Sequence, residues 1–324
     1  MFEVSRLIGL VRQASRNRRL SRKTENAYVN HIRHFLEFNA QDDLSESRAA
    51  KIQRFLQNLE ENAQSASTRN QARCALLFLY RDVLGQELPP HFGEIKRART
   101  PGKPSVIFTA DEVRQILSRL RGASYLLAAL MYGSGLRLSE AVALRVGDID
   151  FERRQIIVFD AITRAKNRTT VLPELIVPAM LRHLIRVKFK HEDDCLSGFG
   201  SVRLPKAILK KSPGAARDWK WQYVFPAQKL SPADNGDKLC RHHLAESTVQ
   251  KAVADAIEKA RIFKPGCCQT LRYSFAVRLF EKNYNVRTIQ NLLGHKHLKT
   301  TMSYLSSNGG AENGSVLSPL DSEQ

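Results

Sequence analysis

The sequence predicts a mainly α fold with a small β-sheet, split between an all-helical N-terminal domain and a mixed α/β domain. Three observations carry this. Apolar residues recur at helical spacing from residue 1 to about 86. Residues 88–104, with four prolines, two glycines and a run of cations, break that pattern. Beyond them helices resume, interrupted by two short runs that read as strands. A length of 324 residues suits two domains, and a hydrophobic fraction of 43% supports packed cores.

In the N-terminal domain, Ser21 is the expected cap of a second helix whose apolar face is Tyr28, Ile32, Phe35 and Leu36. A third helix carries Ile52, Phe55, Leu56 and Leu59. A fourth carries Ala72, Leu76, Leu79 and Val83, with Gly85 placed as its stop. Four short helices make a small bundle over residues 1–87. Residues 12–23 hold Arg12, Arg16, Arg18, Arg19, Arg22 and Lys23 and no acid. Such a run is either a solvated helix face or a surface that contacts phosphates, and the overall charge favours the second. Residues 88–105 then read as an extended basic linker able to follow a phosphate backbone.

The second domain is expected over 106–306. Thr109 and Glu112 form a capping box. Residues 124–132 are nearly all apolar and predict a buried helix. Residues 155–159 and 169–172 predict two strands around a polar, basic turn. Residues 191–245 are loop-rich, and the Gly/Asn/Ser-rich tail 307–324 is expected to be mobile.

The net charge of +19 points to a polyanion. Nucleic acid leads; a ribosomal or membrane-surface protein is the alternative. No apolar run reaches the roughly 18 residues that span a bilayer, and no signal-peptide core is present, so a cytoplasmic, nucleoid-associated protein is expected. Cys74, Cys195, Cys240, Cys267 and Cys268 contain no C-x-x-C pair and read as reduced thiols, with neither disulfides nor a zinc site.

Three blocks carry chemistry. Residues 133–140 read Gly-Ser-Gly-Leu-Arg-Leu-Ser-Glu: the glycines release the backbone, and Glu140 can orient the Arg137 guanidinium. The second block holds Arg272 and the third His295, with Tyr304 nine residues later. Each has a bland reading alone, as a surface ion pair or a structural ring. Together they make a phosphate site. Two arginines offer bidentate forks to one phosphate, and a histidine can donate to the same oxygens. A tyrosine hydroxyl beside such cations becomes a usable nucleophile. The arginines also stabilise the charge of the transition state. The sequence shows no Asp/Glu metal cluster, and no cofactor is expected.

These blocks resemble the tyrosine recombinase family over nearly the whole chain: a helical core-binding domain that clamps DNA, then a mixed α/β catalytic domain. The resemblance implies that Arg137 and Arg272 hold the scissile phosphate, His295 assists and Tyr304 attacks. A 3′-phosphotyrosine and a free 5′-hydroxyl would result, and no ATP would be needed. It also implies a homotetramer on two DNA sites and a monomer when free. Two positions depart from the family. Gln269 stands where a histidine is usual, and Tyr273 where a second one often follows the arginine. Gln269 can hydrogen-bond but cannot shuttle a proton near neutral pH. The turn that usually holds a lysine general acid runs from Asp160 to Arg168. Lys166 is the candidate acid there and Arg164 its substitute, though a guanidinium is a poor acid.

Stretches at 190–194, 198–205, 215–227 and 241–251, and the tail at 314–320, further resemble integron integrases. That implies insertion and excision of gene cassettes, by recombining a folded single-stranded cassette site with a double-stranded site. Unpaired bases pushed out of the hairpin stem would be recognised by shape. Trp221 could supply a stacking face and His242 and His243 could brace a base, whereas Trp219 reads better as core of the insert. Three activities stay open: recombination, site binding with impaired cleavage, and topoisomerase-like relaxation.

Overall fold

The computed structural model describes residues 2–18, 20–40, 47–86, 106–159, 166–232, 239–305 and 318–321. The chain divides into two units, Met1–Lys103 and Pro104–Gln324. The expected linker at 88–105 lies outside the described residues.

The first unit contains α1 (Phe2–Asn17), α2 (Arg22–Phe38), α3 (Arg48–Glu61) and α4 (Ala66–Phe78), the last continuing as one wide turn at Leu79–Val83. Serines start three of these helices. Ser21, Ser47 and Ser65 accept hydrogen bonds from the backbone of Thr24, Ala50 and Thr68 at 3.1, 3.3 and 3.1 Å, each satisfying an otherwise orphan N–H. Val11, Val29, Ile32, Phe35, Ile52, Phe55, Ala72, Leu76 and Leu79 form the core. On α2 the buried stripe centres on Val29. The expected Tyr28 and Leu36 are only half-buried, and the Tyr28 ring rests on Phe78 at 5.3 Å.

The basic run has no acid of its own, but folding brings acids to it. Arg12 and Arg16 reach the buried carboxylate of Glu25 at 2.9 and 3.7 Å, and Arg18 pairs with Asp82. A buried carboxylate needs such partners to stay ionised. Part of the run is therefore structural. Arg22 and Lys23 are exposed at the start of α2, and Arg19 is outside the described residues.

The second unit contains α5 (Ala110–Arg119), α6 (Gly122–Ser134), α7 (Leu138–Val142), β1 (Ile149–Asp150), β2 (Gln155–Phe159), β3 (Lys166–Val171) and α8 (Val177–Leu196). There follow α9 (Lys206–Lys211), β4 (Ser231–Pro232), β5 (Leu239–Cys240), α10 (Glu246–Lys259), α11 (Cys268–Glu281), α12 (Val286–Leu293) and α13 (Leu298–Leu305). Thr109 and Glu112 make the expected box at the start of α5, with reciprocal bonds of 3.2 and 2.7 Å. From Leu126 to Ser134, α6 is buried on every side, as a helix that is apolar all round must be.

β1, β2 and β3 form an antiparallel sheet in that order. β3 begins three residues earlier than the sequence suggested, because the ladder continues through a register shift at Val158 and Phe159. Lys166 therefore pairs with Phe159 on a strand rather than sitting in the turn. Arg164 and the rest of the turn at 160–165 fall outside the described residues, as does the Lys166 side chain. β3 is pinned to the end of α6 by Thr170, whose hydroxyl donates to the Ser134 carbonyl at 2.7 Å.

The loop-rich stretch has a small core of its own, made by Val202, Leu204, Ala215 and Tyr223. Buried Arg145 holds it: the guanidinium donates to the carbonyls of Trp221 and Arg203 and lies 4.3 Å from the Tyr223 ring centre. A second tie is the bidentate pair of Arg241 with Asp194 on α8.

The tail is corrected in part. Residues 306–317 lie outside the described residues, but 318–321 are docked. Leu320 enters the main core, Ser318 donates to the Gly133 carbonyl at 2.7 Å, and the Asp321 carboxylate accepts from the backbone of Glu174 and Leu175. Burial of one leucine and three hydrogen bonds outweigh a composition that reads as mobile. Among the described residues no helix is long and apolar enough to cross a membrane.

Candidate active site

Four loops and helix ends of the second unit deliver the chemistry-bearing side chains. α6 ends at Gly135 with φ of +63°, a left-handed cap, and a Cβ there would stand 2.5 Å from the Phe275 ring. Only glycine meets both conditions. The sharp exit places Arg137 at the start of α7, where Glu140 accepts from the Arg137 backbone N–H and from its guanidinium, both at 2.8 Å.

Glu140 serves more than Arg137. Arg168, on β3 and 5% exposed, donates to both Glu140 oxygens at 2.9 and 2.7 Å and to the Leu292 carbonyl at 2.6 Å. Arg272, on α11 and fully buried, approaches the same carboxylate at 3.6 Å. Burial would raise the Glu140 carboxyl, but hydrogen bonds from Arg168 and its charge outweigh burial and hold it at about 2. Three guanidiniums thus share one carboxylate, and the surplus is positive.

Arg272 is fixed by the carbonyls of Gly135 and of Leu293, the latter at 2.6 Å. Burial first, then neighbouring Arg137, lowers its guanidinium to about 9, still charged at neutral pH. Its buried Nε has no hydrogen-bond partner among the described residues. Such an orphan donor in a buried cationic site can be satisfied by an anionic oxygen.

His295 follows Gly294, which closes α12 with φ of +65°. Its Nε2 lies 3.2 Å from an Arg272 guanidinium nitrogen and its Nδ1 3.0 Å from the Thr301 hydroxyl. The guanidinium can only donate, so Nε2 accepts and the ring proton sits on Nδ1. Burial, then the Arg272 charge, lowers His295 to about 4, and the ring is neutral at pH 7. In this arrangement His295 braces Arg272 rather than donating to an anion.

Tyr304 lies on α13, half-buried, with its ring 4.9 Å from His295 and 4.4 Å from Tyr273, both edge-on. Tyr304 lies within electrostatic reach of the Arg272 guanidinium. Burial, then the neighbouring Tyr304, raises the Tyr273 hydroxyl, while Gln269, one helical turn earlier, acts to lower it. Arg137, Gln269, Arg272, His295 and Tyr304 therefore converge, although they come from distant parts of the chain. Sequence reasoning missed Arg168 as the second partner of Glu140, and Thr301 behind His295. The only signal for Arg168 was an arginine between strand-forming residues; nothing local marked Thr301.

Residues 107–310 match the model of the phage integrase family, and residues 7–90 that of the phage integrase N-terminal SAM-like domain. The chain belongs to the phage integrase family. This family member is similar to an Integrase/recombinase of Escherichia coli, 38% identical over 319 residues, covering 98% of this chain and 93% of the relative. A Tyrosine recombinase of Thermosipho africanus is 26% identical over 299 residues, covering 89% and 90%. Among solved structures, XerH bound to its difH substrate shares the fold with a TM-score of 0.62 at 18% identity, covering 91% of this chain and 80% of that one. A lambda integrase dimer on a COC′ core site does so at 0.60 and 16%, covering 96% and 98%.

The loop-rich stretch 191–245 carries a second cluster. The His242 ring stacks on Tyr223 at 5.6 Å and meets His243 edge-on at 4.3 Å. His243 Nδ1 faces its own neighbour's carbonyl, Leu244, at 2.9 Å. Trp221 packs half-buried against the insert core with Lys220 6.0 Å from its ring centre, whereas Trp219 packs on the main core. This corrects the expectation for Trp219: it packs on the main core, and it is Trp221 that packs on the small core of the 191–245 stretch.

Proposed function

We propose that this phage integrase is an integron integrase that inserts and excises gene cassettes through a covalent Tyr304–DNA bond. The convergence of Arg137 and Tyr304 on buried Arg272 in one cationic cluster carries the chemical part of this reading. Arg137, 38% exposed, and the orphan Nε of Arg272 would hold two oxygens of the scissile phosphate. Glu140 and Arg168 would keep the Arg137 fork in place. Tyr304 would attack phosphorus in line, displacing the 5′ oxygen and leaving a 3′-phosphotyrosine. The 5′-hydroxyl of a partner strand would reverse the step. Metal is not required, because guanidiniums supply the positive charge that the transition state needs.

The insert supports the cassette part. Trp221 offers a partly open ring beside Lys220, and the Tyr223–His242–His243 stack offers a braced aromatic wall. Both suit an extrahelical base of a folded hairpin. DNA is the partner, a folded single-stranded cassette site and a double-stranded integron site, and a homotetramer is the working assembly. Arg22 and Lys23 of the N-terminal unit would add phosphate contacts.

A second reading, site binding with weak cleavage, is favoured by two observations. Gln269 is engaged with Tyr273, and Lys166 opens a strand rather than tipping the turn. One assay separates the readings. A nicked cassette-type hairpin traps a covalent adduct if cleavage occurs. We expect an adduct with the wild-type chain and none with Tyr304→Phe; an adduct that survives this substitution rejects the nucleophile. Binding without adduct supports the second reading, and Gln269→His should then raise adduct yield. Loss of hairpin preference over linear duplex is expected for Trp221→Ala.

A further inference from the structure

We propose that Tyr273 is a catalytic residue: its hydroxyl donates a hydrogen bond to the reacting oxygen of Tyr304 and stabilises it as a phenolate. This rests on the reading of Tyr304 as the nucleophile. It assigns a role to a position where the recombinase pattern often has histidine.

The geometry is a short relay along one face of α11. Gln269 and Tyr273 are four residues apart, so their side chains stack on the same helical face. Gln269 and Tyr304 both bear on the Tyr273 hydroxyl, Gln269 easing its ionisation and Tyr304 opposing it. The two tyrosine rings meet edge-on at 4.4 Å while Tyr304 keeps its ring contact with His295, so the two phenols are immediate neighbours. Only one of two adjacent phenols can ionise easily. Burial, then the Tyr304 charge, raises Tyr273 above its ordinary value, so Tyr273 keeps its proton and acts as the donor. Gln269 can donate its amide N–H to the Tyr273 oxygen, which polarises the O–H toward Tyr304. His295 cannot replace this donor, because its Nε2 is occupied by Arg272 and its Nδ1 proton by Thr301.

The chemistry balances without a further reagent. The Tyr304 O–H bond breaks and its proton leaves to solvent. The phenolate electron pair forms the O–P bond, and the P–O5′ pair departs with the 5′ oxygen, which takes up one proton. Tyr273 loses and gains nothing; its hydrogen bond shortens on the phenolate and relaxes on the ester. On rejoining, Tyr304 is the leaving group, and the same donor stabilises it again.

The test uses the full chain and a nicked duplex selected from random-sequence DNA by binding to the protein. Tyr273→Phe keeps the ring and removes the donor. Loss of one hydrogen bond to a charged oxygen should slow adduct formation by roughly 10- to 100-fold. The rise of rate with pH should move about one unit to higher pH, with DNA affinity unchanged. Tyr273→His, which retains a donor, should recover most of the rate. If Tyr273→Phe keeps the wild-type rate, or is slower with an unmoved pH profile, Tyr273 is structural and the inference is wrong. A folded Tyr273→His with no recovery also rejects it. The companion variant Tyr304→Phe separates the two ideas. An adduct that survives it rejects the nucleophile itself, whereas its loss alongside an unaffected Tyr273→Phe rejects only the donor role.

Discussion

Glu140 is the residue on which the arginine cluster depends. It touches Arg137, Arg168 and Arg272, and without its charge three buried or half-buried guanidiniums would repel one another. Glu140→Gln should destabilise the folded chain by about 3 kcal/mol, because removing one member of a buried ionic group leaves the others uncompensated. Denaturant midpoints measure this, and a change under about 1 kcal/mol would show that solvent already screens the cluster. Gly135 is constrained differently. Gly135→Ala must adopt a positive φ and displace the Phe275 ring, for a combined cost of about 3 kcal/mol. A thermal shift of the purified variant tests it, and activity should fall with stability because the same turn aims Arg137. At this scale the sequence marked Arg137, Arg272, His295 and Tyr304 by type and spacing. It could not show the tautomer of His295, which depends on a guanidinium twenty-three residues away in the chain.

At the scale of elements, local chemistry was legible where it acts locally. Ser21 and the Thr109–Glu112 box bond groups three residues away, so the sequence alone places them. Thr109→Ala should cost about 1 kcal/mol in an unfolding titration. The start of β3 was not legible. Lys166 and Arg168 are poor strand formers, and they are extended because β2 pairs with them and Arg168 finds Glu140 and Leu292. The insert behaves likewise. Its sequence reads as loop, yet Arg145 and the Arg241–Asp194 pair fasten it to the second unit. Arg241→Met removes one fastening and should speed proteolytic cleavage between 199 and 245, with little change elsewhere. Equal cleavage rates would mean that Arg145 alone holds the insert.

At the scale of the whole molecule, charge and pH are the observable quantities. His295 is lowered by burial and the Arg272 charge, from 6.5 to about 4. As pH falls through that window, the unfolded chain binds a proton that the folded chain refuses. Stability is therefore complete above 6.5 and declines toward 4. Burial lowers His31 and His183 too, which adds to the slope. Glu140, held at about 2 against 4.5, contributes stability that is lost at lower pH, between those two values. Urea titrations of the wild-type chain and His295→Gln should differ in slope across the upper window; parallel slopes would show that His295 titrates normally. The net charge of +19 belongs to this scale as well, and DNA affinity should fall steeply and linearly with the logarithm of salt concentration.

Residue types, helical periods and caps are short-range properties, and they were enough to seat most helices and to mark side chains that the fold brings together around Arg272. Which carboxylate each arginine meets is a long-range matter. Glu25 and Asp82 pair with part of a run that looked uniformly basic, Glu140 gathers three arginines, and Leu320 folds back into the core from a tail that looked free. Those outcomes follow from desolvation and closure over many residues, and no window of neighbouring side chains contains the partners that settle them.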